Sequence, residues 1–136
     1  MIIYSADKKI SVQEFILILN ESTLGERRPV NDIKRMETML DNASILITAW
    51  DNNKLIGVSR AISDLAYCTY VSDLAVHVDY QNQGIGKRLL EETRTKSGGK
   101  GAFILLAAPK ARDYYPHIGF ELSDRCFVLP ETKKLS

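Results

Sequence analysis

Neither sign of charge dominates this sequence, and no long apolar run occurs in it. Its 136 residues carry 18 Lys and Arg against 17 Asp and Glu, a formal net charge of +1. This balance lacks the basic excess of a dedicated nucleic-acid binder. The longest apolar run, at 102–108, is far shorter than the roughly 18–20 residues that cross a bilayer. We therefore expect no nucleic-acid partner and no membrane partner.

Cysteine is also scarce, with Cys68 and Cys126 as its two occurrences. They lie far apart without metal-ligand spacing, which predicts no metal site and no disulfide framework. Free cysteines are usually buried, so we predict that both pack in the interior. Such cysteine usage suits a reducing cytoplasm, and the amino end lacks a basic-then-apolar signal pattern. We therefore predict a cytoplasmic location.

The order of periodic segments predicts one α/β domain spanning residues 1–136, since no repeat or linker divides the chain. Ser11 and Glu14 form a capping box before apolar residues at helical spacing. A later strand–helix–strand segment is typical of a right-handed βαβ unit with parallel strands. The predicted elements are a helix after Ser11, a helix after Asn31, strands at 44–50, 54–62 and 67–78, a helix at 84–97, a strand at 102–108, a short helix at 109–115, and strands near 120–122 and 125–129.

The turn inside this βαβ unit, Gln81-Asn82-Gln83-Gly84-Ile85-Gly86-Lys87, is a candidate anion site. Helix N termini expose unpaired N–H groups with partial positive charge, and glycine lets a phosphate approach them. Two common phosphate motifs fail here. Leu89 stands where the dinucleotide fingerprint has its third Gly, and Arg88 stands where a P-loop has Ser or Thr. A tight turn without ligand is the structural alternative.

A third pattern matches completely: Gln-x-x-Gly-x-Gly after a strand that ends in Leu74, Ala75 and Val76. Together with the element order and the later Tyr-Tyr-Pro-His-Ile-Gly-Phe at 114–120, the sequence resembles the GNAT superfamily of N-acetyltransferases over nearly its whole length. The resemblance implies a single GNAT-like domain with flanking helices and a mixed, mostly antiparallel sheet in which two parallel strands splay apart. It also implies acetyl-coenzyme A as cosubstrate and no metal.

The resemblance further implies where the coenzyme binds. Its pyrophosphate would rest on backbone amides of 81–87, and its pantetheine arm would lie along Leu74, Ala75 and Val76 like an added strand. The Val76 N–H would then polarise the thioester carbonyl. Ala111 is the coenzyme-contacting alanine of the short helix, but Ala108 stands where many members carry an asparagine, so one side-chain contact would be missing.

Acetyl transfer needs a neutral amine, a stabilised oxyanion and a proton for the departing thiolate. In the family pattern, an aromatic-Tyr-x-x-x-Gly-Phe segment presents a tyrosine hydroxyl to the coenzyme sulfur. Tyr115 occupies that place, which implies a general acid. Packing of Tyr115 as a core aromatic is the alternative.

The general base is left open, because no glutamate lies between Ala43 and Gln83. Asp73 is the nearest carboxylate, although strand alternation puts it on the face opposite Leu74 unless a bulge intervenes. His77 and His117 have a suitable intrinsic pKa, but we expect both to be solvated. A water chain that carries the amine proton away is the default interpretation.

The acceptor is also left open. In this family the first two helices and their loop frame the acceptor pocket, and here that region carries mixed charges. Arg27 and Arg28 are candidates to bind an anionic group, with a solvated face as the more frequent outcome. Asp64 and Asp73 are candidates to attract an amine. A small-molecule or protein amine fits, as does a monomer or a homodimer. A catalytically silent acyl-CoA sensor and a protein-interaction module of the same fold are the alternative functions.

Overall fold

A five-stranded sheet with helices on both faces makes up the first part of the chain. The computed structural model describes all 136 residues, and their contacts divide them into two compact units, 1–106 and 107–136. The first unit contains β1 (Ile2–Ser5), α1 (Val12–Glu21), α2 (Ile33–Asp41), β2 (Ile45–Asp51), β3 (Lys54–Ser63), β4 (Cys68–Val76), α3 (Ile85–Lys96) and β5 (Ala102–Leu105), with 3₁₀ turns at Leu24–Arg27 and Val78–Tyr80.

The strands lie side by side in chain order, and every pair is antiparallel except β4–β5. This confirms the predicted α/β class with a mixed, mostly antiparallel sheet. The sequence patterns missed β1, a short strand at the amino end that pairs Ile3 with Trp50 of β2. They also extended β5 to Ala108, whereas the strand ends at Leu105. No helix has the length and apolarity needed to cross a membrane.

Local capping signals set the starts of the first two helices. Ser11 accepts the N–H of Glu14 through its hydroxyl at 3.1 Å, and the Glu14 carboxylate accepts the N–H of Ser11 at 3.0 Å. The predicted capping box is thereby confirmed. The second helix is capped by Asp32 rather than Asn31, because an Asp32 carboxylate oxygen accepts the N–H of Arg35.

The two faces of the sheet bury different partners. Val58 and Ala75 are cross-strand neighbours that pack with α1 in the hydrophobic core. Ser59 faces the other side, where its hydroxyl bonds that of Thr93 in α3 at 2.7 Å. Gly57 shares the Ser59 face, and a Cβ there would lie 3.0 Å from a methyl of Leu89. The absence of a side chain at position 57 therefore lets α3 pack directly on β3.

The second unit contains little regular structure. It holds a 3₁₀ turn at Pro109–Ala111 and α4 (Tyr114–His117). The strands predicted near 120–122 and 125–129 do not form, and Phe127 is 93% exposed. Short apolar runs become strands only where another backbone pairs with them. The predicted burial of cysteine is also wrong, since Cys68 and Cys126 are both exposed and free.

The turn between β3 and β4 is held by Asp64. One oxygen of its carboxylate accepts the backbone N–H groups of Ala66, Tyr67 and Cys68 at 2.7–3.0 Å. These hydrogen bonds, led by that from Tyr67, lower the pKa of Asp64 to about 2. The Asp64 carboxylate thus stabilises the turn by hydrogen bonding to its backbone.

We expect the Asp64 carboxyl to titrate near pH 2 in carbon-detected NMR, below the ordinary value of about 3.9. Because the folded pKa is depressed, the turn is fully stabilised above about pH 4 and loses this contribution as the pH falls through about 2. A midpoint at the ordinary value of about 3.9 would contradict the hydrogen bonding described.

Candidate functional site

One edge of β4 is unpaired over the second half of the strand. The ladder with β5 ends where Leu105 pairs with Val71, but β4 continues to Val76. The other edge remains on β3, to which the following His77 N–H still donates at 2.9 Å. Because N–H directions alternate along a strand, the N–H groups of Leu74 and Val76 point to the unpaired edge. The early end of β5 therefore leaves two outward amides with no strand beside them.

A β-bulge at Ser72 determines which way Asp73 points. Arg60 and Ala61 are consecutive on β3, but they pair with Asp73 and Val71 on β4, so Ser72 is the extra residue. Arg60 lies on the face of α2, where it donates to a backbone carbonyl of that helix at 3.4 Å. Ala61, and with it Val71, lies on the α3 face. The bulge thus brings Asp73 opposite Arg60.

Asp73 is the centre of a buried ion-pair cluster. Its two carboxylate oxygens accept from the Nε atoms of Arg28 and Arg60, each at 2.5 Å, and its side chain is fully buried. Arg60 also donates to the Ser72 hydroxyl at 2.9 Å, and Arg28 donates to the Ser72 carbonyl at 2.7 Å. Arg28 is therefore partly buried in an ion pair, whereas a solvated face was the more frequent outcome expected for it. The cluster fixes the loop after α1 to the strand just before the two free amides.

Sequence reasoning missed both arginines of this cluster as partners of Asp73. A signal was present, since Arg60 is the one charged residue inside the β3 run 55–62. A charge within a buried strand requires an opposite charge nearby. No comparable local signal exists for Arg28, which lies 45 positions from Asp73 in sequence.

The glycine turn forms an open helix N terminus. Gly84 is the N-cap of α3 with φ +80°, and a Cβ there would meet nothing within 4 Å. The first helical bond runs from the Arg88 N–H to the Gly84 carbonyl at 3.1 Å. The N–H groups of 85–87 therefore have no acceptor within the helix, and no side chain caps them. Such an end is suited to bind an anion.

Gln81 connects this helix end to the unpaired strand edge. Its side-chain amide donates to the Val76 carbonyl at 2.9 Å. Residues 81–84 are exposed, whereas Ile85 is buried and anchors the helix. Lys87 is exposed, and its ammonium lies 3.9 Å from Glu91. Outward strand amides and free helix amides therefore follow one another along the chain, with the Gln81 side chain bonded to the last residue of β4.

His77 is buried, which contradicts the expectation that it is solvated. Its Nδ1 accepts the Asp79 N–H at 3.1 Å, and its Nε2 lies 3.1 Å from a Glu21 carboxylate oxygen. An accepting Nδ1 places the ring proton on Nε2, which donates to Glu21. His77 thereby ties the start of the turn to the end of α1. His117 is exposed, as expected.

Tyr115 lies on α4 in the second unit. Its ring packs edge-on against Tyr114 and Phe120, with centroid distances of 5.4 and 5.5 Å. Burial raises the pKa of the Tyr115 phenol, and the neighbouring Tyr114 adds to the shift. The hydroxyl is therefore protonated at neutral pH. Ala111 is half-buried, and its N–H closes a turn on the Ala108 carbonyl at 2.9 Å.

The comparisons with known proteins agree on one family. A model of the acetyltransferase (GNAT) domain matches residues 18–128. An uncharacterized N-acetyltransferase ycf52 of Gracilaria tenuistipitata var. liui is 31% identical over 100 residues, which cover 69% of this chain and 53% of that protein. The chloroplastic GCN5-related N-acetyltransferase 2 of Arabidopsis thaliana is 39% identical over 70 residues, covering 50% and 27% of the two chains.

The fold has a close counterpart among solved structures. A GNAT family acetyltransferase from Streptococcus pneumoniae superposes with a TM-score of 0.81 at 21% identity, and the match covers 99% of this chain and 100% of that one. This similarity shows the fold. In length, the chain spans 53% of the Gracilaria relative and 27% of the Arabidopsis relative.

We expect Asp73→Asn to lower the free energy of unfolding by about 3–5 kcal/mol, because it leaves two inward guanidinium groups without their shared counterion. Urea denaturation measures the change. The matched control is Asp41→Asn at the exposed end of α2, which should change stability by less than about 0.5 kcal/mol. Equal effects of the two substitutions would contradict a structural role for the cluster.

Proposed function

Because this chain belongs to the GNAT acetyltransferase family, we propose that it transfers an acetyl group from acetyl-coenzyme A to a primary amine. One observation carries the proposal: the unpaired edge of β4 leads directly into an open helix N terminus. Coenzyme A presents its groups in the matching order, an extended arm with amides followed by a pyrophosphate. Strand edge and helix end thus complement successive parts of one ligand.

The coenzyme binds chiefly through backbone groups in this proposal. Its pyrophosphate accepts hydrogen bonds from amides of 81–87, where each charge–dipole contact contributes about 0.3–1 kcal/mol. Its pantetheine amides pair with the edge at Leu74, Ala75 and Val76, and the Val76 N–H polarises the thioester carbonyl. Ala111 contacts the coenzyme through the turn before α4, without the side-chain hydrogen bond that an asparagine at Ala108 would add.

Tyr115 is the general acid of the proposed reaction. The neutral amine attacks the thioester carbon, the tetrahedral oxyanion collapses, and the carbon–sulfur bond breaks. The departing thiolate takes the phenolic proton of Tyr115, whose raised pKa keeps that proton in place at neutral pH. The proton lost by the amine passes to water.

Asp73 has a positioning role in this proposal and is not the base. Both of its carboxylate oxygens are held by guanidinium groups, and its side chain is fully buried. Buried and held between two guanidinium groups, Asp73 is not open to an approaching amine. Through Arg28, Asp73 holds the loop after α1 against β4.

Two observations favour a catalytically silent acyl-CoA sensor as the second candidate: the lack of a glutamate at 43–83 and the alanine at 108. One two-step assay distinguishes the transferase from the sensor. Calorimetry first measures coenzyme A binding, and thiol release is then followed over a panel of amines. Binding with release supports the transferase, binding without release supports the sensor, and no binding at millimolar coenzyme A excludes both.

The proposed location is the cytoplasm. Its support is the pair of free, exposed cysteines, which fits a reducing compartment. The chloroplastic relative makes the plastid stroma, also reducing, the second candidate. Fractionation of the source cells distinguishes the two.

Gly84→Ala should weaken coenzyme A binding about tenfold. A left-handed conformation costs a residue with a Cβ about 1–2 kcal/mol, so alanine disfavours the turn geometry that binds the phosphates. The matched control is Gly98→Ala beyond the other end of α3, where φ is +89° and a Cβ would meet no atom closer than 3.7 Å. Both variants should lose similar stability in thermal unfolding, but the control should keep its affinity in calorimetry. Equal losses of affinity would contradict the assigned phosphate site.

Tyr115→Phe should lower kcat by about 10²–10⁴-fold and leave the Kd of coenzyme A unchanged, since the substitution removes a proton donor. Steady-state kinetics and calorimetry measure the two quantities. In the wild type, the rate should fall at a pH above about 10, the ordinary phenol value, because the raised pKa keeps the acid protonated below it. Tyr114→Phe is the control, and a similar loss of kcat there would remove the special role of Tyr115.

A further inference from the structure

His77 is a buried titratable residue that the proposed reaction does not use. Its side chain is 8% exposed, and both of its ring nitrogens have partners. It follows β4 directly and precedes the 3₁₀ turn Val78–Tyr80, so it lies between the unpaired strand edge and the phosphate turn 81–87. The two halves of the proposed coenzyme site are therefore joined along the chain through this residue.

The backbone of His77 fixes the direction of the last strand amide. Its N–H donates to the Ile56 carbonyl of β3 at 2.9 Å, and its carbonyl accepts the Tyr80 N–H at 2.8 Å. Because N–H directions alternate along a strand, the first of these bonds turns the Val76 N–H away from β3. The second bond closes the 3₁₀ turn that leads to the phosphate turn.

The ring of His77 stabilises the same 3₁₀ turn through its side-chain nitrogens. Nδ1 accepts the Asp79 N–H at 3.1 Å, as a side-chain cap does at the start of a helix. Nε2, which carries the ring proton, donates to the Glu21 carboxylate at the end of α1 at 3.1 Å. The Tyr80 ring packs edge-on against the imidazole, with 5.6 Å between the centroids. Glu21 and Tyr80 thus hold the ring in the orientation that directs Nδ1 at the Asp79 N–H.

The other end of the 3₁₀ turn is fixed separately. The Tyr80 hydroxyl donates to the carboxylate of Asp51, the last residue of β2, at 2.6 Å. Residues 78–80 are therefore held at both ends, whereas residues 81–84 beyond them are exposed and no side chain caps the N terminus of α3. The entry of the chain into the phosphate turn thus depends on the 3₁₀ turn.

We propose that His77 is a positioning residue for coenzyme A, and that its Nδ1 sets the place of the phosphate amides by capping the 3₁₀ turn. Glu21 acts one step further away, by orienting the ring through Nε2. Without the cap, the turn must be ordered when the coenzyme binds, and this cost lowers the affinity. The inference concerns the proposed coenzyme site and so rests on the proposed function.

Two amide substitutions separate the two ends of the imidazole. His77→Asn keeps an acceptor at the position of Nδ1 but does not reach Glu21, whereas His77→Gln keeps a donor at the position of Nε2 and lacks that acceptor. Calorimetry on the full chain with coenzyme A gives each Kd. We expect His77→Asn to bind within about twofold of the wild type and His77→Gln about fivefold more weakly, the factor that corresponds to loss of a typical side-chain cap. Equal Kd values for the two variants would overturn the inference.

Thr48→Val is the control for a general loss of stability. Thr48 is buried on β2, and its hydroxyl accepts from the Trp50 indole at 2.8 Å, so the substitution removes a buried hydrogen bond outside the turn. It should lower the midpoint of thermal unfolding and leave the Kd of coenzyme A unchanged. A rise in Kd equal to that of His77→Gln would show that the loss of affinity is not specific to the cap, and the inference would fail.

NMR of the ¹⁵N-labelled imidazole checks the geometry without coenzyme. The ring proton should reside on Nε2 in the free wild type, and a proton on Nδ1 would refute the capping role. Thiol release over the amine panel separates the inference from the proposed function. Tighter binding by His77→Asn than by His77→Gln without any release supports the inference and refutes the transferase, whereas release with equal Kd values refutes the inference alone. No binding of millimolar coenzyme A by the wild type overturns both.

Discussion

The contact between the Asp73 carboxylate and two arginines is the constraint on which the arrangement of the first unit depends. It joins the loop after α1, strand β3 and strand β4 at a single buried point. Buried charges such as those of Asp73 and Arg60 are tolerable only when their polar atoms are paired, and no buried side-chain nitrogen or oxygen in the structure lacks a partner. The bulge at Ser72 is required for this contact, because without it Asp73 would face α3.

The same cluster separates two surfaces with different chemistry. On one side lie the outward amides of β4 and the free amides of α3, which suit an extended ligand ending in phosphates. A cleft beside α2 is lined by Lys34 and Arg35 together with the acidic Asp32. Arg60 borders the cleft, and Arg28 covers the carbonyl of Ser72 just before the free amides.

Local signals were sufficient for much of the fold and for the glycine turn. Neighbouring residues fix the capping box of α1, the consecutive antiparallel strands β2, β3 and β4, and the N-cap at Gly84. The sequence patterns therefore predicted these features. Features that depend on distant partners were predicted poorly. The end of β5, the missing strands after Gly119 and the burial of His77 each depend on which backbone or side chain lies beside them. For the same reason Asp73 was identified as a candidate without its two arginines.

The open N terminus of α3 affects which amino-acid substitutions this chain tolerates. A site made of peptide N–H groups is not removed when a side chain is replaced, so most positions of the turn 81–87 are free to vary in composition. Substitutions that alter backbone shape are the exception. Asn82 and Gly84 hold left-handed conformations, with φ of 63° and 80°, and few residues adopt these readily. The robustness of the turn therefore depends on two backbone torsions.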